Sequence, residues 1–143
     1  MTFVTEVLKT KGSDVWTIAA DASVYEALLE MADKNVGALM VVEGGQLLGV
    51  FSERDYARKV ILHGKASKDT LVSEIMSPEV ISVSPEQTIG ACMELMTHRR
   101  VRHLPVLEEG RLIGVISMGD VVKAIISEQE FAIQQLQQYI GQR

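Results

Sequence analysis

The amino-acid sequence contains one segment twice, and this internal repeat limits the folds that are open to the chain. Residues 14–60 align with residues 79–125 without a gap, and the matches include glycine, serine and aspartate as well as apolar positions. A repeated segment of this size is one structural unit that buries its apolar face against a neighbour. Two copies indicate two similar units that pack together, and they exclude a solenoid.

Each copy opens with the same two predicted elements. Residues 15–18 and 80–83 are β-rich runs whose alternation predicts a short strand. Apolar residues at helical spacing follow from Val24 in the first copy and from Ile89 in the second. Residues 84–87, Ser-Pro-Glu-Gln, are predicted to start the second of these helices, with serine as the cap and proline at the first position.

Each copy closes with a predicted hairpin and a second helix. The hairpin turns are expected at residues 44–45 and 109–110, where glycine separates two apolar runs. Both hairpins lead directly into a helix that starts at a serine, Ser52 or Ser117. The order strand, helix, hairpin, helix occurs twice, which predicts an α+β fold of two small sheets packed with helices and related by a pseudo-twofold axis.

The repeat divides the chain into three predicted segments. Residues 1–65 hold the first copy and a short leader, and residues 66–130 hold the second copy with a similar leader. Residues 131–143 extend the last helix, and their apolar residues recur at spacings of three and four. This polar tail is expected to lie against a partner subunit, so we predict a homodimer that associates through helices.

Composition and charge narrow the class of protein. The chain has 19 acidic and 14 basic residues, a net charge of -5, which disfavours general binding to nucleic acid or to anionic membranes. Cys92 is the single cysteine, so the chain has no internal disulfide. No apolar run approaches the length of a membrane span, and the first residues lack the pattern of a signal peptide. We expect a cytoplasmic protein.

The strongest chemical signal is a serine followed three residues later by an aspartate. Residues 49–55 read Gly-Val-Phe-Ser-Glu-Arg-Asp, and residues 114–120 read Gly-Val-Ile-Ser-Met-Gly-Asp. One such motif is well explained as a helix cap. Its repetition where a strand meets a helix favours a ligand, because a helix N-terminus attracts phosphate and an aspartate accepts hydrogen bonds from ribose. Both interpretations stay open.

This combination of repeat and motif resembles tandem cystathionine-β-synthase (CBS) domains, whose paired form is called a Bateman module. The resemblance covers nearly the whole chain. It implies that Asp55 and Asp120 bind the ribose of an adenosine nucleotide, and that Ser52 and Ser117 contact ribose or phosphate. It also implies that residues of the first strand and of the start of the hairpin surround the adenine.

Basic residues cluster in the second copy. Residues 98–103 read His-Arg-Arg-Val-Arg-His. A cationic helix end explains His98 and Arg99, whereas Arg102 and His103 lie beyond the helix and are predicted phosphate ligands. The first copy has Gly-Ala at the matching place, so the two sites should be unequal.

Together these considerations predict one set of ligand-binding residues. In the helix that follows Ser52, Arg54 is favoured as an anion ligand over Arg58 and Lys59, which fit a solvated helix face equally well. The predicted set is Thr17, Val36, Gly37, Ala38, Ser52, Arg54, Asp55, Ser82, Val101, Arg102, His103, Ser117, Gly119 and Asp120.

The predicted function is regulatory and not enzymatic. The chain is expected to bind an adenine nucleotide (AMP, ATP or NAD) and to signal its occupancy through a conformational change or through an unidentified regulated protein. No phosphate-binding loop, dinucleotide fingerprint, nucleophile elbow or metal-ligand spacing occurs in the sequence, so neither a catalytic cofactor nor a metal is predicted. The alternatives are an enzyme that uses a bound nicotinamide nucleotide and a dimerisation module without a ligand.

Overall fold

The computed structural model describes residues 1–12 and 14–141 of the chain. These residues form two compact units, one made of Asp14–Ile81 and the other of Met1–Ser13 together with Ser82–Arg143. The fold is mixed helix and strand with small sheets, as the sequence predicts.

The leader helix ahead of each copy packs in the unit of the other copy. Val4 and Leu8 of the first leader are buried in the unit that holds the second copy. Val72 and Ile75 of the second leader belong to the apolar core of the first copy. The compact units therefore do not coincide with the consecutive segments 1–65 and 66–130. Each short leader buries its apolar side chains in the core of the other copy.

The unit Asp14–Ile81 contains a three-stranded sheet in the order β1-β2-β3, with β1 parallel to β2 and β2 antiparallel to β3. Its largest buried side chains are apolar and include Leu39, Met40 and Phe51. In chain order its elements are β1 (Thr17–Ala19), α2 (Val24–Lys34), β2 (Ala38–Glu43), β3 (Gln46–Ser52), α3 (Glu53–Tyr56), a π-helical turn (Ala57–Ile61), a 3-10 turn (Ser67–Asp69) and α4 (Val72–Ile75).

The described residues of the other unit form a two-stranded antiparallel sheet and three helices. The buried side chains Ile89, Cys92, Leu104 and Ile116 come from its helices and from both strands. Its elements are α1 (Val4–Lys11), α5 (Ile89–Arg99), β4 (His103–Glu108), β5 (Arg111–Ser117) and α6 (Met118–Gly141).

The strand predicted at residues 80–83 is reduced to one bridge between Val83 and Val106. In the first copy the N–H of Met40 donates to the carbonyl of Trp16 over 3.0 Å and extends the parallel ladder. Pro105 occupies the matching position of β4 and has no N–H to donate. The second sheet therefore has two strands where the first has three.

Helix α5 starts later than the sequence pattern predicts. Residues 84–87 form a turn, in which the N–H of Ser84 donates to Gln87 Oε1 over 2.8 Å. The helix begins at Ile89, and Thr88 caps it by accepting from the N–H of Ala91 over 3.1 Å. The serine and proline therefore shape the turn that leads to the cap and do not form the cap.

The hairpins and the helix at the end of each copy match the prediction. Residues 44–45 have φ values of 56° and 79°, and residues 109–110 have values of 51° and 79°. Two successive positive φ angles are typical of the tight turns that suit the twist of antiparallel strands. Helix α6 continues to Gly141, and its side chains from residue 131 to 141 are exposed. The predicted extension also includes residues 142–143, which lie outside the described part of the chain.

A glycine in the second strand of each hairpin allows the leader to approach. A Cβ atom added at Gly49 would lie 2.6 Å from the backbone oxygen of Ser77. A Cβ atom added at Gly114 would lie 2.6 Å from Leu8 Cδ2. Each leader therefore packs against a hairpin strand at a glycine, where no side chain blocks its approach.

We expect Gly49→Ala to lower the free energy of unfolding by about 1–3 kcal/mol, measured by urea denaturation. The Ser77 oxygen accepts from the N–H of Val50 over 3.1 Å, so it cannot move aside without loss of that bond. Gly114→Ala should cost less, because the Leu8 side chain can rotate away. In the control Gly90→Ala, the nearest atom to the new methyl group is 3.8 Å away and no loss is expected. Equal effects at all three positions would contradict this role of the glycines.

Candidate functional site

Each candidate site forms where the hairpin passes directly into a helix. The N–H of Glu53 donates to the carbonyl of Gly37 over 3.0 Å, and the N–H of Met118 donates to the carbonyl of Arg102 over 2.8 Å. Each bond joins the first residue of a helix to the residue just ahead of the first hairpin strand. The motif and the start of the hairpin are therefore neighbours in both copies.

The strand register brings the same predicted residues together. Ala38 pairs with Ser52 across the first hairpin, and His103 pairs with Ser117 across the second. The second site thus has a histidine, which is half-buried, and the exposed Arg102 beside it. The first site has alanine and glycine in these places, so positive charge distinguishes the two.

In the first copy both carboxylate oxygens of Asp55 have hydrogen-bond donors. Oδ2 accepts from the N–H and from the hydroxyl of Ser52, each over 3.0 Å. Oδ1 lies 3.3 Å from the hydroxyl of Ser77 and 3.3 Å from Lys59 Nζ. The Asp55 residue is only 9% exposed. The capping interpretation accounts for this aspartate, and Ser77 and Lys59 enclose it.

In the second copy one carboxylate oxygen of Asp120 carries the contacts. Oδ2 accepts from the N–H of Ser117 over 2.8 Å and from Lys11 Nζ over 2.6 Å. The Asp120 N–H donates in return to Ser117 Oγ over 3.1 Å. No residue among 1–12 and 14–141 donates a hydrogen bond to Asp120 Oδ1. Capping therefore uses only one of the two oxygens.

The environment of Asp120 favours its charged form. Burial alone raises the pKa of the Asp120 carboxyl, but the hydrogen bond and charge of Lys11 and the hydrogen bonds of Ser117 lower it further than burial raises it. The net result is a pKa below the ordinary value of 3.8. The second site therefore holds a carboxylate at neutral pH.

The remaining predicted residues lie around these two turns. Thr17 is exposed on β1, and Ser82 is exposed next to the bridge at Val83. Half-buried Val36 and Val101 donate their N–H groups to the last turns of α2 and α5. All predicted residues of one copy fall in one compact unit. The two predicted residues within the first turns of these helices, Arg54 and Gly119, are exposed.

Three residues near the aspartates were not among the predicted ligands. Lys59, and not Arg54, pairs with Asp55, and its spacing of four residues on one helix is a signal that was available in the sequence. Ser77 and Lys11 reach the aspartates from the two leaders. No local pattern marks these two, because their contacts depend on the exchange of leaders.

The chain contains a further group with reactive chemistry, the thiol of Cys92. Cys92 is buried in α5, and burial raises the pKa of its thiol, which disfavours the nucleophilic thiolate. Within residues 1–12 and 14–141 no three His, Cys, Asp or Glu side chains cluster as metal ligands would. In the same residues no helix combines the length and the apolar character that a membrane span requires.

The fold and the paired motifs agree with comparisons to known proteins. The CBS domain model matches residues 4–62 and 72–127. The chain belongs to the CBS-domain family.

Relatives from bacteria and plants share this architecture. CBSX3, a mitochondrial CBS domain-containing protein of Arabidopsis thaliana, is 42% identical over 97% of this chain and 72% of its own length. A solved structure of a CBS-domain protein assigned to signal transduction in Burkholderia ambifaria MC40-6 is 48% identical, covers 90% of this chain and 96% of its own, and has a TM-score of 0.85. The hexameric CBS-CP12 protein of bloom-forming cyanobacteria is 29% identical over 85% of this chain and 70% of its own, with a TM-score of 0.76. These relatives are consistent with a regulatory CBS-domain protein.

The Lys11 ion pair should be visible in the titration of Asp120. Because the pKa of Asp120 is lower in the folded state than in the unfolded state, its ionisation increases the free energy of unfolding. This contribution is complete above pH 3.8 and is lost as the pH falls through the pKa of the folded state. Lys11→Met should raise the pKa of the Asp120 carboxyl, measured by carbon-detected NMR. Lys9→Met, on the same helix, should leave it unchanged. An unaltered Asp120 titration in Lys11→Met would exclude the ion pair in solution.

Proposed function

We propose that the chain is a regulatory module that binds an adenine nucleotide at the Ser117–Asp120 turn. The observation that supports this most directly is Asp120 Oδ1, a carboxylate oxygen with no hydrogen-bond donor among residues 1–12 and 14–141. A ribose diol supplies two hydroxyl donors, and ionised carboxylates are strong acceptors for them. The membership of the CBS-domain family supports the same ligand class.

Charge around the turn suits the phosphate end of such a ligand. Helix α6 has 24 residues, so its N-terminus presents the positive end of a full helix dipole to an anion. Exposed Arg102 precedes β4, and its carbonyl accepts from the first residue of α6. The carboxylate would hold ribose while the guanidinium would meet phosphate.

We propose that the first copy binds a nucleotide more weakly than the second or has only a structural role. Both oxygens of Asp55 already have donors, and Gly37 and Ala38 stand where the second copy has Arg102 and His103. A ligand there would have to displace Ser77 or Lys59 and would find no cation ahead of β2. This site would bind adenosine or no ligand.

The output of the module is proposed to be a change of conformation or of partner affinity. The predicted residues supply carboxylate, hydroxyl and cationic groups for binding, and none of them forms a nucleophile with an adjacent base. An unidentified regulated protein would then read the state of the module. A cytoplasmic location remains part of this proposal.

We also propose that the chain forms a homodimer through α6. Ile133, Leu136 and Ile140 recur at spacings of three and four and are 54%, 61% and 66% exposed. Burial of large apolar side chains of this kind is the main favourable term in association. The hexameric cyanobacterial relative supports an assembly of several subunits.

Nucleotide binding should raise the melting temperature. At a ligand concentration about 100 times the dissociation constant the stabilisation is roughly 2.7 kcal/mol, which at about 2–4 °C per kcal/mol gives a rise of about 5–10 °C. AMP, ATP and NAD should each be tested by thermal melting and by calorimetry. A constant melting temperature with all three at millimolar concentration would refute nucleotide binding and favour a purely structural module.

Matched substitutions should assign the site. Asp120→Asn should weaken binding at least about tenfold, since a charged acceptor is lost, whereas Asp55→Asn should leave the affinity within about twofold. Arg102→Ala should weaken binding of ATP far more than of adenosine. If Asp55→Asn is the damaging change, the first copy holds the ligand.

The dimer should have a mass about twice 15.7 kDa by light scattering at micromolar concentration. Leu136→Glu should shift the equilibrium toward monomer, because it places a charge on the apolar stripe. Gln135→Glu adds the same charge on the opposite face of α6 and should have no effect. A full-length chain that stays monomeric would refute this proposal.

A further inference from the structure

Lys11 connects the second site to the first leader helix. It is the last residue of α1, and its Nζ donates to Asp120 Oδ2 over 2.6 Å and to the carbonyl of Val115 over 2.9 Å. The Lys11 side chain is 34% exposed and that of Asp120 is 21% exposed. One side chain thus joins the end of a helix to the predicted ribose acceptor.

The first copy makes the matching contacts in a different way. Val50, which corresponds to Val115, accepts from the N–H of Ser77 over 2.9 Å and donates to the Ser77 carbonyl over 3.1 Å. The cation beside Asp55 is Lys59, which belongs to the helical segment that follows Asp55 itself. In the first copy a backbone bridge fixes the leader, and Lys59 adds a bond to it by donating to the carbonyl of Ile75 over 3.1 Å. In the second copy a single lysine side chain performs both roles.

The two ends of α1 are held differently. At its start the N–H of Val4 donates to the carbonyl of Gln87 over 2.9 Å, and the N–H of Thr5 donates to that of Pro85 over 3.1 Å. Near its end, Leu8 packs beside Gly114, and Lys11 bonds to Val115 and Asp120. The last turn of α1 therefore depends on side-chain contacts.

A ligand diol that bridges both carboxylate oxygens of Asp120 would compete with Lys11 for Oδ2. Each carboxylate oxygen has about two acceptor positions. Those of Asp120 Oδ2 are taken by the Ser117 N–H and by Lys11, while Oδ1 has no donor among the described residues. A ribose whose two hydroxyls each bind one oxygen must displace the ammonium group.

We infer that Lys11 couples occupancy of the Ser117–Asp120 site to the last turn of α1. A bound diol takes Asp120 Oδ2, Lys11 leaves both Asp120 and Val115, and the end of α1 loses its only polar contacts to the hairpin within the described residues. This inference rests on the proposed nucleotide binding. It names α1, and not α4 of the first copy, as the element that reports the ligand.

Hydrogen–deuterium exchange of the full chain tests the coupling. In wild type, saturating AMP should speed exchange of the amides at the end of α1 by about two- to fivefold, the range expected for loss of a partly exposed ion pair. Lys11→Met should show this faster exchange without AMP, little further change with it, and tighter AMP binding by calorimetry. Lys9→Met, which removes the same charge two residues earlier on α1, should behave as wild type.

The outcomes separate the two proposals. If AMP binds by calorimetry while exchange at the end of α1 stays constant or slows, the coupling is wrong and nucleotide binding stands. Weaker AMP binding by Lys11→Met would likewise overturn it, because Lys11 would then contact the ligand. If AMP, ATP and NAD all give no binding heat, the proposed function fails and the coupling fails with it.

Discussion

The close approach of each leader to a hairpin glycine determines where the charged side chains of both sites lie. Leu8 occupies the space beside Gly114 that a side chain would fill, and this contact positions the end of α1, whose start is held by backbone bonds to Gln87 and Pro85. Because Lys11 lies three residues further along the same helix, it reaches Asp120. The electrostatics of the second site thus follow from the packing of one leucine against one glycine.

The same packing in the first copy leads to a different result. Gly49 admits the backbone of Ser77, and two backbone hydrogen bonds to Val50 then fix that segment. The Ser77 hydroxyl comes within 3.3 Å of Asp55, so a neutral donor and Lys59 surround this carboxylate. Two copies with the same Ser-x-x-Asp motif therefore differ in how hydrogen bonds are distributed over the two carboxylate oxygens.

The sequence was most informative where structure is decided by neighbouring residues. Hairpin turns, the long helix α6 and the helix starts at Ser52 and Ser117 depend on local backbone preferences and capping, and the structure confirms them. The strand predicted at residues 80–83 failed because its pairing depends on the N–H of a distant residue, and Pro105 has none. The strand propensity of a segment does not indicate whether its partner strand has the N–H groups needed to pair with it.

The same distinction explains why the candidate site was predicted only in part. Each motif aspartate is the third residue after its serine, so the helix cap can be predicted from the sequence. The Lys11–Asp120 pair joins residues 109 positions apart, and it exists because the first leader packs with the second copy. Duplication of the motif made both aspartates equal candidates, whereas the leaders make them unequal: both oxygens of Asp55 have donors, and the contacts of Asp120 from Lys11 and the Ser117 N–H fall on Oδ2. Under the proposed function, a duplicated fold would in this way keep one copy for stability and leave the other responsive to a ligand.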